Sequence, residues 1–326
     1  MDKWASSNEL IGRDTLNSIR LDLEGKLNKC GLMYRVFARC KTTRSLAHKL
    51  ERKRGNYSPT GKKVQDILGF RIVFYFISDV RIICEVLQKE SLYNSVSDSE
   101  QEFKQLKGTC SKCDKNPNIQ FDEIFRPERL NLVFKMDAKT RSRFRSELTS
   151  LPEDVSNLID DTYEVQLRSV LSEGWHEVEH DLRYKCKDEW KEFELESRML
   201  NGIFASIESH EYSMEMLFEK KARLHYNKRQ WEPMLRNHLR MRIYDNLSNK
   251  IIDVLNADSK KSKAFLKFDR EAIITALYQF PASYPLHFDN IIFFVNRLLE
   301  NPIDEISELE PQLIKEKLDA LFRTPA

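Results

Sequence analysis

Residues 64–76 read VQDILGFRIVFYF, a run dense in β-branched and aromatic side chains. Its continuous apolar character predicts a strand buried on both faces, placed at the centre of a sheet. Asp66 stands just ahead of the apolar part, where a buried charge is costly unless something compensates it, and a metal ion would do so. Upstream, Tyr34 to Cys40 reads as a short strand and Thr42-Thr43 as the start of a helix through Leu46 and Leu50. From about Asn8 to Leu32, Leu10, Ile11, Leu16, Ile19, Leu23 and Leu27 recur at mostly helical spacing, interrupted by Gly12, and predict an entry helix. Downstream come a helix from Ser78 to about Lys89, a polar insertion from Glu90 to Gln120, and strands over Glu128 to Met136 and Thr162 to Ser169. The last strand leads into a helix carrying Trp175 and Tyr184.

After Lys187 the pattern is almost wholly helical, with turn signals at Gln230 to Pro233, Asn256 to Lys263, Phe280 to Pro285 and Asn301-Pro302. The expected organisation is therefore an α/β domain over 1–187 and a helical C-terminal region over 188–326. The apolar run Ile291 to Val295 is far too short for a bilayer span, and Met1-Asp2-Lys3-Trp4 lacks a signal core, so no membrane partner and a cytoplasmic location are expected. Six cysteines lack the density of a disulfide scaffold, which makes reduced thiols the default. Cys110 and Cys113 form one C-x-x-C, half of a zinc pattern whose second half is missing at finger spacing.

Although 53 Lys and Arg against 51 Asp and Glu leave a net charge of only +2, the charge is unevenly spread. Arg39, Lys41, Arg44, Lys49, Arg52, Lys53, Arg54 and Lys62 crowd one segment in which Glu51 is the only acid, a composition that attracts phosphate. A solvated basic helix face is the plain alternative. Transfer of a phosphoryl-type group to a hydroxyl requires cations for the triphosphate, carboxylates for a divalent metal, and a group that orients the attacking oxygen. Arg39, Lys41, Ser45 and Lys49 offer the first, with positions 45 and 49 on one helix face. Glu164 alternates with Gln166 and Arg168 on one face of their strand, while Tyr163, Val165 and Leu167 take the other.

The ordered segments RCKTTRSLAHK (39–49), DILGFR (66–71), EVQLRS (164–169) and WHEVEHDLRYK (175–185) closely resemble the synthetase domain of the RelA/SpoT alarmone family. The resemblance spans about Arg35 to Lys185. It implies a nucleotidyltransferase-like mixed sheet flanked by helices, in a short, synthetase-only form of a GTP diphosphokinase-like enzyme. It also implies pyrophosphate transfer from ATP to a ribose 3′-hydroxyl of GDP or GTP with release of AMP, and Mg²⁺ as cofactor. Carried over by position, Arg39, Lys41, Ser45 and Lys49 would hold the ATP phosphates and Arg71 would lie against its adenine, a contact with a cation–π basis. Asp66 and Glu164 would hold the metal, Glu164 would also activate the hydroxyl, and Gln166 and Arg168 would line the acceptor side. For Arg71 and Arg168, a structural ion pair is the plain alternative.

Two departures stand out. Where the family has a Y-R-S-x-H-like segment whose tyrosine stacks on the acceptor guanine, this chain has Phe125-Arg126-Pro127-Glu128-Arg129, so Phe125 would stack and Arg129 replaces the histidine. That opens an alternative acceptor, the 3′ end of tRNA, used by toxin-like members; an antitoxin or other regulatory protein would then be a partner. Second, His176 stands where alanine is usual, so that His176, Glu177 and His180 spell the zinc-protease motif H-E-x-x-H inside the longer match. The plainer reading of His176 is a polar surface residue. A second basic stretch, Lys220 to Arg242, interleaved with Tyr226 and Trp231, suits either RNA contact or an amphipathic helix pair burying Leu224, Met234, Leu235, Leu239 and Ile243. A catalytically silent RNA-binding relative is the competing class, against which the intact Asp66 and Glu164 argue.

Overall fold

The stretch at 64–76 contributes β2 (Leu68–Phe74) to a five-stranded mixed sheet of order β1-β2-β5-β4-β3. The computed structural model describes residues 4, 8–96, 130–280 and 283–322. The other strands are β1 (Tyr34–Cys40), β3 (Tyr93–Val96), β4 (Leu130–Lys135) and β5 (Thr162–Ser169). Only β2 and β5 pair in parallel; the β1–β2, β4–β5 and β3–β4 ladders are antiparallel. The sheet's central position therefore falls to β5, with β2 beside it, which corrects the placement expected from apolar character. The strand is also shorter than the apolar run: Val64 makes a single parallel bridge to Ile159, and residues 65–67 lie outside the ladder.

Among the helices, α1 (Arg13–Lys29), α2 (Thr43–Arg52), α3 (Ile77–Gln88), α4 (Ala138–Glu147), the single turn α5 (Glu153–Ser156) and α6 (Val170–Glu179) accompany the sheet. The α/β mixed sheet flanked by helices and followed by a helical region is the fold class the sequence predicts. One sheet face is closed by Phe70, Ile72, Val165 and Leu167, all at most 3% exposed, and α3 packs on β2 and β5. Burial of each such side chain stabilises the fold by about 1.5–3 kcal/mol. Tyr163 is stacked on Phe134 at 5.4 Å and meets Phe70 edge-on at 5.7 Å. The opposite face carries the polar residues of β5, as its alternating burial requires.

The entry helix starts after Gly12, not before it. Gly12 has φ +79°, a left-handed conformation that favours glycine, and a Cβ there would lie 2.7 Å from the Phe144 ring and 3.1 Å from Leu68. Leu10 is consequently left outside the helix, 48% exposed, its backbone bridged to Thr42. The first turn of α1 is capped from far away: Glu147, at the end of α4, accepts from the Asp14 and Thr15 amides at 3.0 Å each. We expect Gly12→Ala to destabilise the protein by about 2–4 kcal/mol, adding backbone strain to overpacking. Thermal and urea unfolding monitored by circular dichroism would check this, and an unchanged midpoint would refute it.

The chain divides into two compact units, Met1–Glu24 with Tyr34–Ser209, and Gly25–Met33 with His210–Ala326. Following the long helix α7 (Glu194–Asn227), the second unit contains α8 (Trp231–Leu239), α9 (Asn249–Ala257), α10 (Ser259–Lys267), α11 (Arg270–Gln279), α12 (Phe288–Leu298), α13 (Asp304–Glu308) and α14 (Gln312–Phe322). Its core gathers Met234, Leu235, Ile273, Phe288, Phe294 and Leu318, each at most 1% exposed. The Asn301-Pro302 turn is clamped by Asn296, which accepts from the Ile303 amide at 2.8 Å and donates to the Ile303 carbonyl at 3.1 Å.

One expectation for the basic stretch is corrected in this unit. Leu224 is exposed, at 51%, whereas Met234, Leu235, Leu239 and Ile243 are buried. Arg240 is buried at the left-handed C-cap of α8, and Arg236 donates to the carbonyls of Ile243 and Asp245 and to Glu232. The Arg236 charge thus serves the unit's own backbone. Among the described residues no helix is long and apolar enough to cross a membrane.

Candidate active site

The turn from β1 into α2 builds the cationic side of the site. Thr42 caps α2 by accepting from the Ser45 amide at 3.2 Å, and the Lys41 amide donates to the Ile67 carbonyl at 2.9 Å. These bonds bring the β1–α2 corner against the segment that leads into β2. Ser45 and Lys49 lie one turn apart on α2, on the face that meets Asp66. Lys49 Nζ is 2.6 Å from Asp66 Oδ1 and Lys41 Nζ is 3.0 Å from Oδ2, so one carboxylate is clamped by two ammonium groups. Burial by itself would raise the Asp66 carboxyl, but the charges and hydrogen bonds of Lys41 and Lys49 together hold it below its ordinary value.

Across the sheet, Arg39 on β1, Gly69 on β2, Glu164 on β5 and Val133 on β4 stand in one row of paired residues. Gly69 has no side chain, and that of Arg39 fills the space, with Cγ 3.8 Å and Nε 3.9 Å from where a Cβ would stand. Glu164 is half-buried at the floor of a cleft of about 1110 Å³ that Lys41, Ser45, Lys49 and Asp66 also line. Burial pushes its carboxyl above the ordinary range and the nearby charge of Asp66 adds to the rise, while Lys41, Arg39 and Lys49 oppose it. Two neighbouring carboxylates pushed in opposite directions suit two different tasks, a permanently charged anchor and a proton acceptor.

A second cluster sits one row along the sheet. Arg71 and Gln166 are register partners, and Arg71 Nε donates to Gln166 Oε1 at 3.4 Å. Arg71 Nη1 pairs with Glu173 at 2.7 Å and also with Glu177, both on α6. Arg168 Nε lies 3.6 Å from the other oxygen of Glu173, and its Nη2 is 3.5 Å from Gln166. Both arginines are thus in ion pairs. Glu173 escapes a reading of the sequence and Glu177 enters it only within the H-E-x-x-H motif; the signal for their pairing with Arg71 is two acids one helical turn apart just after the strand that carries Arg168.

Lys41, Ser45, Lys49, Asp66 and Glu164 therefore share one cleft, Arg39 lies in the row that crosses it, and Arg71, Gln166 and Arg168 form the adjoining network. Phe125 and Arg129 lie outside the described residues, as do Cys110 and Cys113. His176 is not a surface residue: it is 5% exposed, with its ring 5.5 Å from that of Phe204 and 5.3 Å from that of Trp175. The reason is its place on the side of α6 that meets Phe204, a neighbour far along the chain. His180 follows in a wider π turn, exposed, with Nδ1 2.8 Å from Asp181, and Glu177 is engaged by Arg71. Among the described residues no three His, Cys, Asp or Glu side chains group as metal ligands.

The sheet thus bears a phosphate-seeking corner, an opposed pair of carboxylates and two arginines beyond them. Residues 38–189, a stretch just under half the length of the chain, match the family described as "Region found in RelA / SpoT proteins". No curated protein matches the sequence. Similar solved structures include small alarmone synthetase 2 from Bacillus subtilis, with 19% identity, 64% of this chain and 95% of that one covered, and TM-score 0.40. Small alarmone synthetase 1 from Bacillus subtilis, bound to its product pppGpp, has 17% identity, coverage of 64% and 93%, and TM-score 0.40. A GTP pyrophosphokinase family protein from Streptococcus pneumoniae has 16% identity, coverage of 63% and 87%, and TM-score 0.40.

Proposed function

We propose that this enzyme transfers the terminal pyrophosphate of ATP to the 3′-hydroxyl of a guanine nucleotide, GDP or GTP, giving a (p)ppGpp-type alarmone and AMP. The observation that carries this reading is the convergence of Lys41, Lys49, Asp66 and Glu164 on one cleft, with Asp66 held ionised and Glu164 poised to take a proton. Lys41, Ser45, Lys49 and Arg39 bind the triphosphate, and Arg71 carries the adenine. Glu164 accepts the hydroxyl proton as its oxygen bonds to the β-phosphorus. The bond from that phosphorus to the oxygen it shares with the α-phosphorus breaks, and AMP leaves with the oxygen. The lysines neutralise charge that grows on the phosphate oxygens.

The carboxylate pair also fits Mg²⁺, an ion commonly held by one or two carboxylates together with substrate phosphates. Asp66 and Glu164 are close enough for the charge of one to raise the pKa of the other, and a divalent cation would relieve that repulsion. These two residues would hold the ion, which when bound would neutralise phosphate charge.

A second reading, transfer to the 3′ end of tRNA, is favoured by one observation. The cleft extends past the phosphate cradle along Arg52, Lys53, Lys62 and Lys63 with Tyr57 beside them, a shelf suited to a nucleic-acid backbone. Incubation with labelled ATP and separate GDP, GTP, ATP and tRNA acceptors decides between them by where the label appears. With a guanine nucleotide as acceptor, Phe125→Ala should raise the acceptor KM roughly 5–150-fold, the worth of about 1–3 kcal/mol of base stacking, with ATP affinity little changed. With tRNA as acceptor, neutralising Lys53 and Lys62 should lower transfer and flatten its salt dependence. Label in none of the four acceptors would sink both readings.

A further inference from the structure

Glu173 touches both arginines of the network. Its Oε1 is 2.7 Å from Arg71 Nη1 and its Oε2 is 3.6 Å from Arg168 Nε. The three side chains are well covered, at 16% exposure for Glu173, 25% for Arg71 and 12% for Arg168, so solvent screens their attraction less than at an open surface. Glu177, by contrast, is 54% exposed and pairs with Arg71. The backbone under Glu173 is firmly placed. Ser169 accepts from the Ser172 amide at 3.1 Å and Ser172 accepts from the Ser169 amide at 3.2 Å, a reciprocal cap that fixes the first turn of α6 directly after β5. Two residues on, Trp175 donates to the Leu200 carbonyl at 2.9 Å and anchors the helix from its other side.

We propose that Glu173 is a positioning residue that couples the ATP subsite to the acceptor subsite, through its contacts with Arg71 and Arg168. The proposal rests on the reading that Arg71 serves ATP and Arg168 the acceptor. Two guanidinium groups that converge on one carboxylate share its orientation. A nucleotide that immobilises Arg71 immobilises Glu173, and through it Arg168, so the second nucleotide meets an arginine already ordered. Such coupling is reciprocal: each nucleotide tightens the other by the same factor.

The test compares wild type, Glu173→Gln, Glu173→Asp and Glu177→Gln by titration calorimetry with a non-hydrolysable ATP analogue and GDP, each alone and in the presence of the other. In wild type each nucleotide should tighten the other about fivefold or more. In Glu173→Gln that factor should fall below about twofold and kcat by about tenfold, with the affinity for either nucleotide alone shifting by less than about threefold. Glu173→Asp should restore part of the coupling, and Glu177→Gln should leave it intact. Coupling in Glu173→Gln equal to wild type would overturn the proposal, as would loss of the factor together with a lowered melting temperature and no rescue by aspartate. The guanidinium NMR resonances of Arg71 and Arg168 in the nucleotide-free protein separate this from the guanine reading. If GDP binds no form of the enzyme, the guanine acceptor fails, while Glu173→Gln moving both sets of resonances still supports the positioning role and moving only one, or neither, overturns it.

Discussion

Glu164→Gln is expected to abolish pyrophosphate transfer, by roughly 10²–10³-fold or more, because it removes both the proton acceptor and one of two carboxylates beside the phosphates. Asp66→Asn should do the same by removing the charge that Lys41 and Lys49 flank. Folding should survive both changes. Glu164 is expected to resist ionisation in the folded protein, since burial and then the charge of Asp66 raise its pKa above the unfolded value. A carboxyl shifted in this direction adds stability below its unfolded pKa, and that contribution is lost as pH rises through the folded pKa. Glu164→Gln should therefore match or exceed the wild-type melting temperature at neutral pH, with the gain vanishing in acid. Transfer by the wild type needs the ionised form, so the acid limb of kcat/KM should lie above the ordinary carboxylate range. Radiolabel transfer, melting curves from acid to neutral pH and a pH–rate profile check each part. A Glu164→Gln enzyme keeping more than about a tenth of wild-type activity would remove Glu164 from the centre of the mechanism, since loss of such a group is normally far larger.

Lys49→Met should produce the second large effect, raising the ATP KM about tenfold or more and lowering kcat about a hundredfold. Methionine keeps most of the aliphatic stem and removes the ammonium that lies 2.6 Å from Asp66, on a side chain only 17% exposed. The loss has two parts: a phosphate oxygen loses its cation in the transition state, and Asp66 retains only Lys41. Arginine at this position should recover part of the ATP affinity, since its charge is kept while its planar fork differs from a point charge. Steady-state kinetics with ATP as the varied substrate would test the division. An unchanged ATP KM together with a lowered acceptor affinity would reverse the roles assigned to the two sides of the cleft.

Local elements were the most legible part of this protein. The apolar run 68–74, the Thr42 cap and the alternation of Glu164, Gln166 and Arg168 each follow from neighbours a few residues away, and the observed β2, α2 and β5 contain them. The helix α4 and its distant cap on α1 were not legible, because Glu147 finds the Thr15 amide across 132 positions in the chain. His176 looked like surface on its own helix and became core only because Phe204 packs against it. Arg236 read as one of a run of basic residues, and only the fold supplied the Ile243 and Asp245 carbonyls and Glu232 as its partners.

What the sequence by itself determined is the kind of chemistry available: ordered motifs that supply phosphate-seeking cations, two carboxylates and an arginine on each of two strands. What only the tertiary structure decided is which of these groups neutralise one another. Lys49 and Asp66 are separated by 17 residues, Arg71 and Glu173 by 102, and no local period links them. The first meeting depends on the antiparallel pairing of β1 with β2, the second on the parallel pairing of β2 with β5, a contact that requires a long crossover. Electrostatic interaction falls with distance and with solvent exposure, so the raised carboxyl of Glu164 and the lowered one of Asp66 exist only once the sheet has brought them into one half-buried cleft.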